Sequence, residues 1–445
     1  MAPVSGTPPP GPNLPAVAQA LAFLTAERRA LAAAKRRYGG CFSARLPRVG
    51  DTVVVLDPDL VKQLYNGEPE ALEAQHELSP IYGAASLLVA DGGRHRMLRR
   101  TVAPLFGPAA LEFGREALVV AVDRAVEQWP RGKTIALLPE LRKITLEAIL
   151  RYLFGLEGER LRAWQRRFAE LLSLITSWQS TLRFLSGHPR ALENWRRLQR
   201  QRDACRQLID EEIRRRERET GASLPADAMA QFLDAAEREG VSEGPERQDQ
   251  LLTLVIGGYD APAITVAWAV ERLIRHPDIL ERLREETAAG GGEEFAEAVV
   301  KETMRLRPPI PFAAHRARSK IRLGDYTVAP GTVVLPYLPL LHRDPEVFDN
   351  PSQFRPERFL RSDPPRYAWA PFGRGSHACI GSPFAYVEIK TILIALLTRA
   401  APVPTRERAE PMARRAATVV PGHGCRVRLR HPIHDPVPAV SAVSR

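Results

Sequence analysis

Apolar residues recur every three to four positions over most of this chain, which predicts helices near residues 16–38, 116–129, 138–154, 161–178 and 191–219. The breaks between them are Pro- and Gly-rich, as at Gly187-His188-Pro189. Residues 249–276 are different, because the apolar positions there run almost without interruption and polar residues gather only at Gly257-Gly258-Tyr259-Asp260. That pattern predicts one long buried central helix. Further helices are expected from Pro277, over 293–305 up to Arg307-Pro308-Pro309, and over 383–399. Strand signals are few: the run 51–56 ahead of Pro58, and short alternating runs at 320–323 and 332–337 inside a Pro/Gly-rich stretch. The fold class read from this is mainly α with minor β.

A chain of 445 residues with 44% apolar content can bury a large core. The expected organisation is a Pro-rich lead at 1–15, a single catalytic domain at 16–438 and a flexible tail at 439–445. The apolar stretch 14–26 is too short to cross a bilayer and has no basic leader, so the reading is a cytoplasmic protein without a membrane anchor. Of 63 basic residues seven are lysines and 56 arginines, giving a net charge of +11. The charges alternate in sign along the helices, as in Glu211 to Glu219, and neither aromatic-basic interleaving nor zinc spacing is present; both points argue against a nucleic-acid module. Four cysteines, Cys41, Cys205, Cys379 and Cys425, show no paired spacing, so no disulfide framework is expected.

Chemistry concentrates in Pro371-Phe-Gly-Arg-Gly-Ser-His-Ala-Cys-Ile-Gly-Ser-Pro-Phe384, a Gly-punctuated loop that sets Cys379 just ahead of a helix. Backbone amides and the positive end of a helix favour a thiolate there, which suits a metal ligand. The motif Phe372-Gly373-x-Gly375-x-His377-x-Cys379-x-Gly381 resembles the haem-binding loop of the cytochrome P450 superfamily, in which the cysteine thiolate is the proximal iron ligand. Two further segments resemble the same family. Glu302, Arg305 and Arg358, in Glu302-Thr-Met-Arg305 and Phe354-Arg-Pro-Glu-Arg-Phe359, match its structural Glu-Arg-Arg triad. His95 and Arg99, one helical turn apart in Asp91-Gly-Gly-Arg-His-Arg-Met-Leu-Arg-Arg100, match its propionate-binding helix.

The resemblance spans nearly the whole chain. It implies the triangular P450-type fold, with haem b held between the long central helix and the helix following the Cys379 loop. It also implies that His95, Arg99, His377 and Arg316 neutralise the haem propionates. The implied activity is a monooxygenase that hydroxylates or epoxidises a small hydrophobic metabolite of the secondary type with dioxygen. No dinucleotide fingerprint occurs, so electrons from NAD(P)H would come through a separate ferredoxin or flavodoxin with its reductase. Arg358, Arg366 and Arg374 are expected to offer that partner a basic face. The loop at about 72–88 and residues 168–185, 309–313 and 419–421 are expected to line the substrate pocket, with Leu171, Leu174, Ile175 and Trp178 weighted towards core.

The chain departs from the family at one place. A small residue, Gly, any residue and an acid are normally followed by an alcohol; here Gly257-Gly258-Tyr259-Asp260 is followed by Ala261 and Pro262. Gly258, Asp260 and Ala261 are therefore the catalytic positions to watch. The threonine hydroxyl orders water for proton delivery, and Ala261 cannot. Pro262 removes the amide that would bond the Gly258 carbonyl, which predicts a kink. Three explanations follow: a hydroxyl on the substrate replaces the threonine's, peroxide serves directly as oxidant, or the reaction is a rearrangement needing no second proton. A non-catalytic haem sensor or carrier is the remaining alternative.

Overall fold

The computed structural model describes residues 6–430 apart from 48, 68–70, 75, 131, 178–188, 219–227, 242, 292 and 363. Helix dominates, as the periodicity predicts. The N-terminal helix covers Ala16–Tyr38, with a kink at Ala26, and later ones cover Leu137–Phe154, Pro277–Ala288, Glu293–Leu306 and Ser382–Arg399. The helix expected at 116–129 begins earlier, at Pro108, because proline at a first-turn position starts a helix without losing a bond. Gly158–Ile175 ends short of the expected 178; Trp178, the 178–185 part of the proposed pocket lining and the tail 439–445 lie outside the described residues.

The central helix is not continuous. It runs as Pro245–Gly257 and Asp260–Leu273, interrupted at Gly258 and Tyr259. The interruption falls where Pro262 withholds its amide from Gly258, one turn upstream. The Tyr259 carbonyl exposed by the break accepts a 2.8 Å hydrogen bond from the buried Thr145 hydroxyl of the Leu137–Phe154 helix. Among the described residues, Pro245–Leu273 is long and apolar enough to cross a membrane, but 78% of its apolar window is buried inside the fold. Trp268, Ala263, Val266 and Val270 pack there with Ile392, Leu393 and Leu396 of the Ser382–Arg399 helix.

The principal sheet has five strands in the order Cys41–Leu46, Gly50–Val55, Val333–Pro336, His315–Ala317, Leu72–Glu73, with only the second and third parallel. The Cys41–Leu46 hairpin and the C-terminal strands Ala401–Pro404, Met412–Arg415, Thr418–Pro421 and Arg426–Arg430 carry weak alternation and had no sequence signal. The Pro-rich lead lies along the first strand: Ser43 donates from its amide to Pro10 O (2.7 Å) and from its hydroxyl to Pro9 O (2.8 Å).

Candidate haem-thiolate site

The Cys379 loop is shaped by backbone turns that only glycine adopts easily. Gly373 and Gly375 sit at φ +69° and +72°. A Cβ on Gly375 would also stand 3.0 Å from the Tyr65 ring. The turns let the Cys379 amide donate to Phe372 O (2.9 Å) and the Ala378 amide to Gly375 O (3.2 Å). Two arginines hold the loop from either side. Arg374 donates to Arg366 O (2.8 Å) and Trp369 O (2.7 Å), and Arg99 reaches from the Gly92–Val102 helix to Ala378 O (2.8 Å). Arg374 is thus committed to the loop, and Arg358 to the triad described below; of the three arginines expected on a partner-docking face, Arg366 alone is exposed and makes no ion pair among the described residues.

Burial raises the Cys379 thiol, while the Gly381 amide and the Arg99 charge pull it down. The upward balance departs from the sequence expectation that local amides favour the thiolate, because desolvation outweighs one amide donor and one nearby positive charge. Cys379 is nevertheless the one exposed cysteine; Cys41, Cys205 and Cys425 are buried. Desolvation together with accessible surface fits a recess in the fold better than its outer face. The central helix has a matching open strip. Gly257 is exposed, Leu254, Gly258 and Ala261 are half-exposed at helical spacing, and nothing lies within 4 Å of where a Cβ on Gly257 would stand.

Three imidazoles gather beside the loop. The His95 ring packs tilted against His377 (4.2 Å between centroids, 34° between planes), and His315 lies 5.7 Å from His377. Burial lowers all three, His95 and His315 to about 4. His315 Nδ1 and the Tyr65 hydroxyl are buried without hydrogen-bond partners, and the Tyr65 and His315 rings meet edge-on at 5.7 Å. A pair of carboxylates would satisfy these donors, so the residues present fit a haem with its propionates on this side.

Arg316 does not join them. Its guanidinium pairs with Glu77 and donates to Gly331 O (2.8 Å). Consecutive strand residues point to opposite faces, and the pairing of Glu73 with Arg316 and of Val334 with His315 turns the histidine inward and the arginine out. His315, rather than Arg316, is thus the residue of this strand that joins His95 and His377. The expected result is that His315→Phe lowers haem retention on gel filtration, while Arg316→Ala leaves it within error; the reverse order would restore Arg316.

The triad assembles as the sequence reading anticipates. Arg305 makes a two-pronged contact with Glu302 (2.7 and 2.9 Å), both side chains fully buried, and Arg358 reaches Glu302 at 3.2 Å. Arg305 also donates to the carbonyls of His342, Pro351 and Gln353 (2.9, 2.7 and 3.0 Å), and Glu302 accepts the Arg355 amide (2.8 Å). The link onward to the cysteine loop is a residue the sequence reading missed. Fully buried His342 accepts the Ala370 amide on Nε2 at 3.1 Å.

Burial lowers the His342 ring from 6.5 to about 3. Its folded-state pKa is depressed, so its contribution is whole above pH 6.5 and is lost as pH falls towards 3, where the unfolded chain takes up a proton the folded chain refuses. Thermal unfolding followed from pH 7 to 4.5 should show a falling midpoint, with a shallower fall in His342→Gln, whose amide oxygen can still accept from Ala370. Parallel slopes in the two proteins would contradict this.

Asp260 sits at the break in the central helix, nearly buried. Its Oδ1 accepts a 2.7 Å hydrogen bond from Arg142 Nε and lies 2.7 Å from Nη2 of the same guanidinium, and Oδ2 faces the Thr418 hydroxyl at 3.4 Å. Burial raises the carboxyl; Arg142 and Thr418 work against it. Burial and the Asp260 charge together push the phenols of Tyr82 and Tyr259 up to about 12, although Arg142 partly offsets this at Tyr259. Arg142, Thr418 and Tyr82 lie 118 or more positions from Asp260 and carried no signal in sequence. Ala261 keeps its place on the open strip, and the nearest helix hydroxyl, Thr265, is spent on the Ala261 carbonyl (2.8 Å).

A mainly helical fold with a cysteine loop, an internal face of histidines and a buried Glu-Arg-Arg triad defines a haem-thiolate class of protein. The cytochrome P450 family model matches residues 8–420, and the chain belongs to that family and carries haem b. It is 34% identical over 431 residues to the protein designated cytochrome P450 138 of Mycobacterium tuberculosis, covering 95% of this chain and 96% of that one. It is 33% identical to cytochrome P450 137 of the same organism, covering 93% and 88%. Among solved structures, retinoic acid-bound cyanobacterial CYP120A1 superposes with a TM-score of 0.81 at 22% identity, over 96% of this chain and 100% of that one. The haem domain of cytochrome P450DA gives 0.82 at 21%, over 96% and 98%. At those identities the likeness establishes the fold alone.

Proposed function

We propose that the protein is a monooxygenase that inserts one oxygen atom of dioxygen into a small hydrophobic molecule, by hydroxylation or epoxidation. When bound, the haem supplies the oxygen-activating iron, and the electron-rich thiolate favours O–O cleavage. The protein's own part is to hold Cys379 through the Gly381 amide, to fix the loop through Arg99 and Arg374, and to keep water from the site. His95, His315 and His377 with Arg99 and Tyr65 would hold the propionates. Electrons would come from a ferredoxin or flavodoxin with its reductase, as bacterial members of the family typically use.

The observation that carries this reading is the pairing of Asp260 with Arg142 at the helix break, because a sensor or carrier needs no buried acid poised beside the open strip. The missing alcohol at Ala261 is best filled by a hydroxyl of the substrate, with Asp260 feeding protons to it. Its test is a spin-state titration of the ferric protein against terpenoids, steroids, fatty acids and lactones, each with its deoxy counterpart. A shift with the hydroxylated member alone supports the reading. Equal shifts within every pair overturn the substrate hydroxyl.

A second reading, direct use of peroxide or a rearrangement, is favoured by the same Ala261-Pro262 pair. It predicts turnover with peroxide, or with no reductant, at least as fast as turnover with the reductase. In the first reading, Ala261→Thr brings no gain in product per reductant consumed; a clear rise would contradict it.

A further inference from the structure

The last turn of the Glu293–Leu306 helix, the end of the central helix and the segment before the triad arginine Arg358 enclose a cavity of about 320 Å³, away from Cys379. Its polar lining is Arg272, His276, Arg307, Ser352, Gln353 and Arg355, and no carboxylate is among the lining residues. The volume lies at the lower end of the range for small-molecule sites, about 300–1,000 Å³.

The arginines differ in how far they are already neutralised. Arg272 is paired with Glu271, and Arg355 with Asp349 (3.1 Å). Arg307 makes no ion pair among the described residues, although the Glu271 charge acts on it: it donates to the Leu306 carbonyl (3.1 Å), lies 5.3 Å over the Trp268 ring, and leaves Nε buried without a partner. More positive charge stands behind it. Arg343 donates to the same Leu306 carbonyl and to Pro339 O (2.8 Å) and likewise makes no ion pair among the described residues, and Arg28 adds to the field at both. Burial is the chief cause lowering Arg307 to about 10 and Arg343 to about 9; neighbouring arginines add to it, and Glu271 at Arg307 and Tyr337 at Arg343 offset only part. Isolated cations held out of water are costly, and an anion among them would relieve that cost.

We infer that this cavity is a binding site for a phosphate group, either the free ion or a small phosphate monoester, held by Arg307 and Arg355 with the Ser352 hydroxyl and the Gln353 amide. A planar guanidinium presents two donors to two phosphate oxygens, and the two exposed neutral side chains supply further donors at the mouth. The ion would lie next to Arg355, whose backbone amide already binds Glu302, and so would brace the segment that carries the triad.

The test is thermal unfolding of the haem-loaded protein in inorganic phosphate, in glycerol phosphate and in chloride at matched ionic strength. Either phosphate should raise the midpoint saturably, by about 1–3 °C at tenfold excess over the dissociation constant, and chloride should not. A larger rise with glycerol phosphate assigns the ester, and a larger rise with inorganic phosphate assigns the free ion. Arg307→Met should unfold no earlier than the parent without phosphate, since it removes an unpaired buried charge, and should lose the phosphate response. Should that variant fail to fold, Arg355→Gln should weaken phosphate binding at least tenfold by titration calorimetry. An equal rise in chloride, or a phosphate response unchanged in the variant that folds, overturns the site.

Discussion

Asp260→Asn is expected to slow reductase-driven product formation by about 10²–10⁴-fold while haem content stays at the parental level. The carboxylate accepts Arg142 Nε, pairs with the guanidinium charge and faces Thr418; asparagine keeps the shape but gives up the charge and the capacity to exchange a proton. Burial raises the Asp260 carboxyl above the ordinary carboxylate range despite Arg142. The carboxylate therefore loses its charge at a higher pH than an exposed aspartate would, and the acid limb of the rate profile should lie correspondingly high. Asp260→Asn should flatten that limb. Tyr82→Phe is the companion variant: if the phenol near Asp260 helps order water in place of the missing threonine, product per reductant falls and haem content does not. Asp260→Asn turning over at the parental rate would remove Asp260 from proton delivery.

The second large effect concerns stability. Removing either partner of the Glu302–Arg305 pair leaves the other charge fully buried, which costs about 3–5 kcal/mol. Against a total of about 5–15 kcal/mol for a folded domain, that is enough to leave little haem-loaded protein. Glu302→Ala and Arg305→Ala should each lose most of the haem-containing fraction and unfold at lower urea. Arg305→Lys should not rescue, because one ammonium cannot span Glu302 and the carbonyls of His342, Pro351 and Gln353 together. The double variant Glu302→Leu/Arg305→Met should cost less than the two single losses added, since of the three charges only the less deeply buried Arg358 is left without its partner. Strict additivity would contradict the pairing.

How far the site could be read from sequence depended on whether a role is local. The Cys379 loop was legible because glycines, cysteine and histidine at fixed offsets define a turn that needs no distant partner. The kink at Gly258 and Tyr259 was legible for the same reason, since Pro262 acts one turn away. Glu302 and Arg305 were legible as neighbours on one helix face. Arg316 was misplaced in favour of its neighbour because strand parity decides which of two adjacent side chains faces the haem side. That parity is set by pairing with residues 72–73 and 333–334, not by the local sequence. Tyr65, Arg142, His342 and Thr418 come from other elements and act through contacts no spacing rule encodes. The expected docking arginines differ in another way: Arg374 carries charge but spends donors on the carbonyls of Arg366 and Trp369, a use that a charge count does not reveal.

The most direct measurement is the fate of isotopically heavy dioxygen during turnover of the panel compound with the largest spin shift, driven by ferredoxin, its reductase and NADPH. The proposed reaction places one labelled atom in the product and the other in water for each NADPH consumed, and Cys379→Ser abolishes the incorporation. Product free of label, or an unlabelled product formed equally well without NADPH, would contradict monooxygenation.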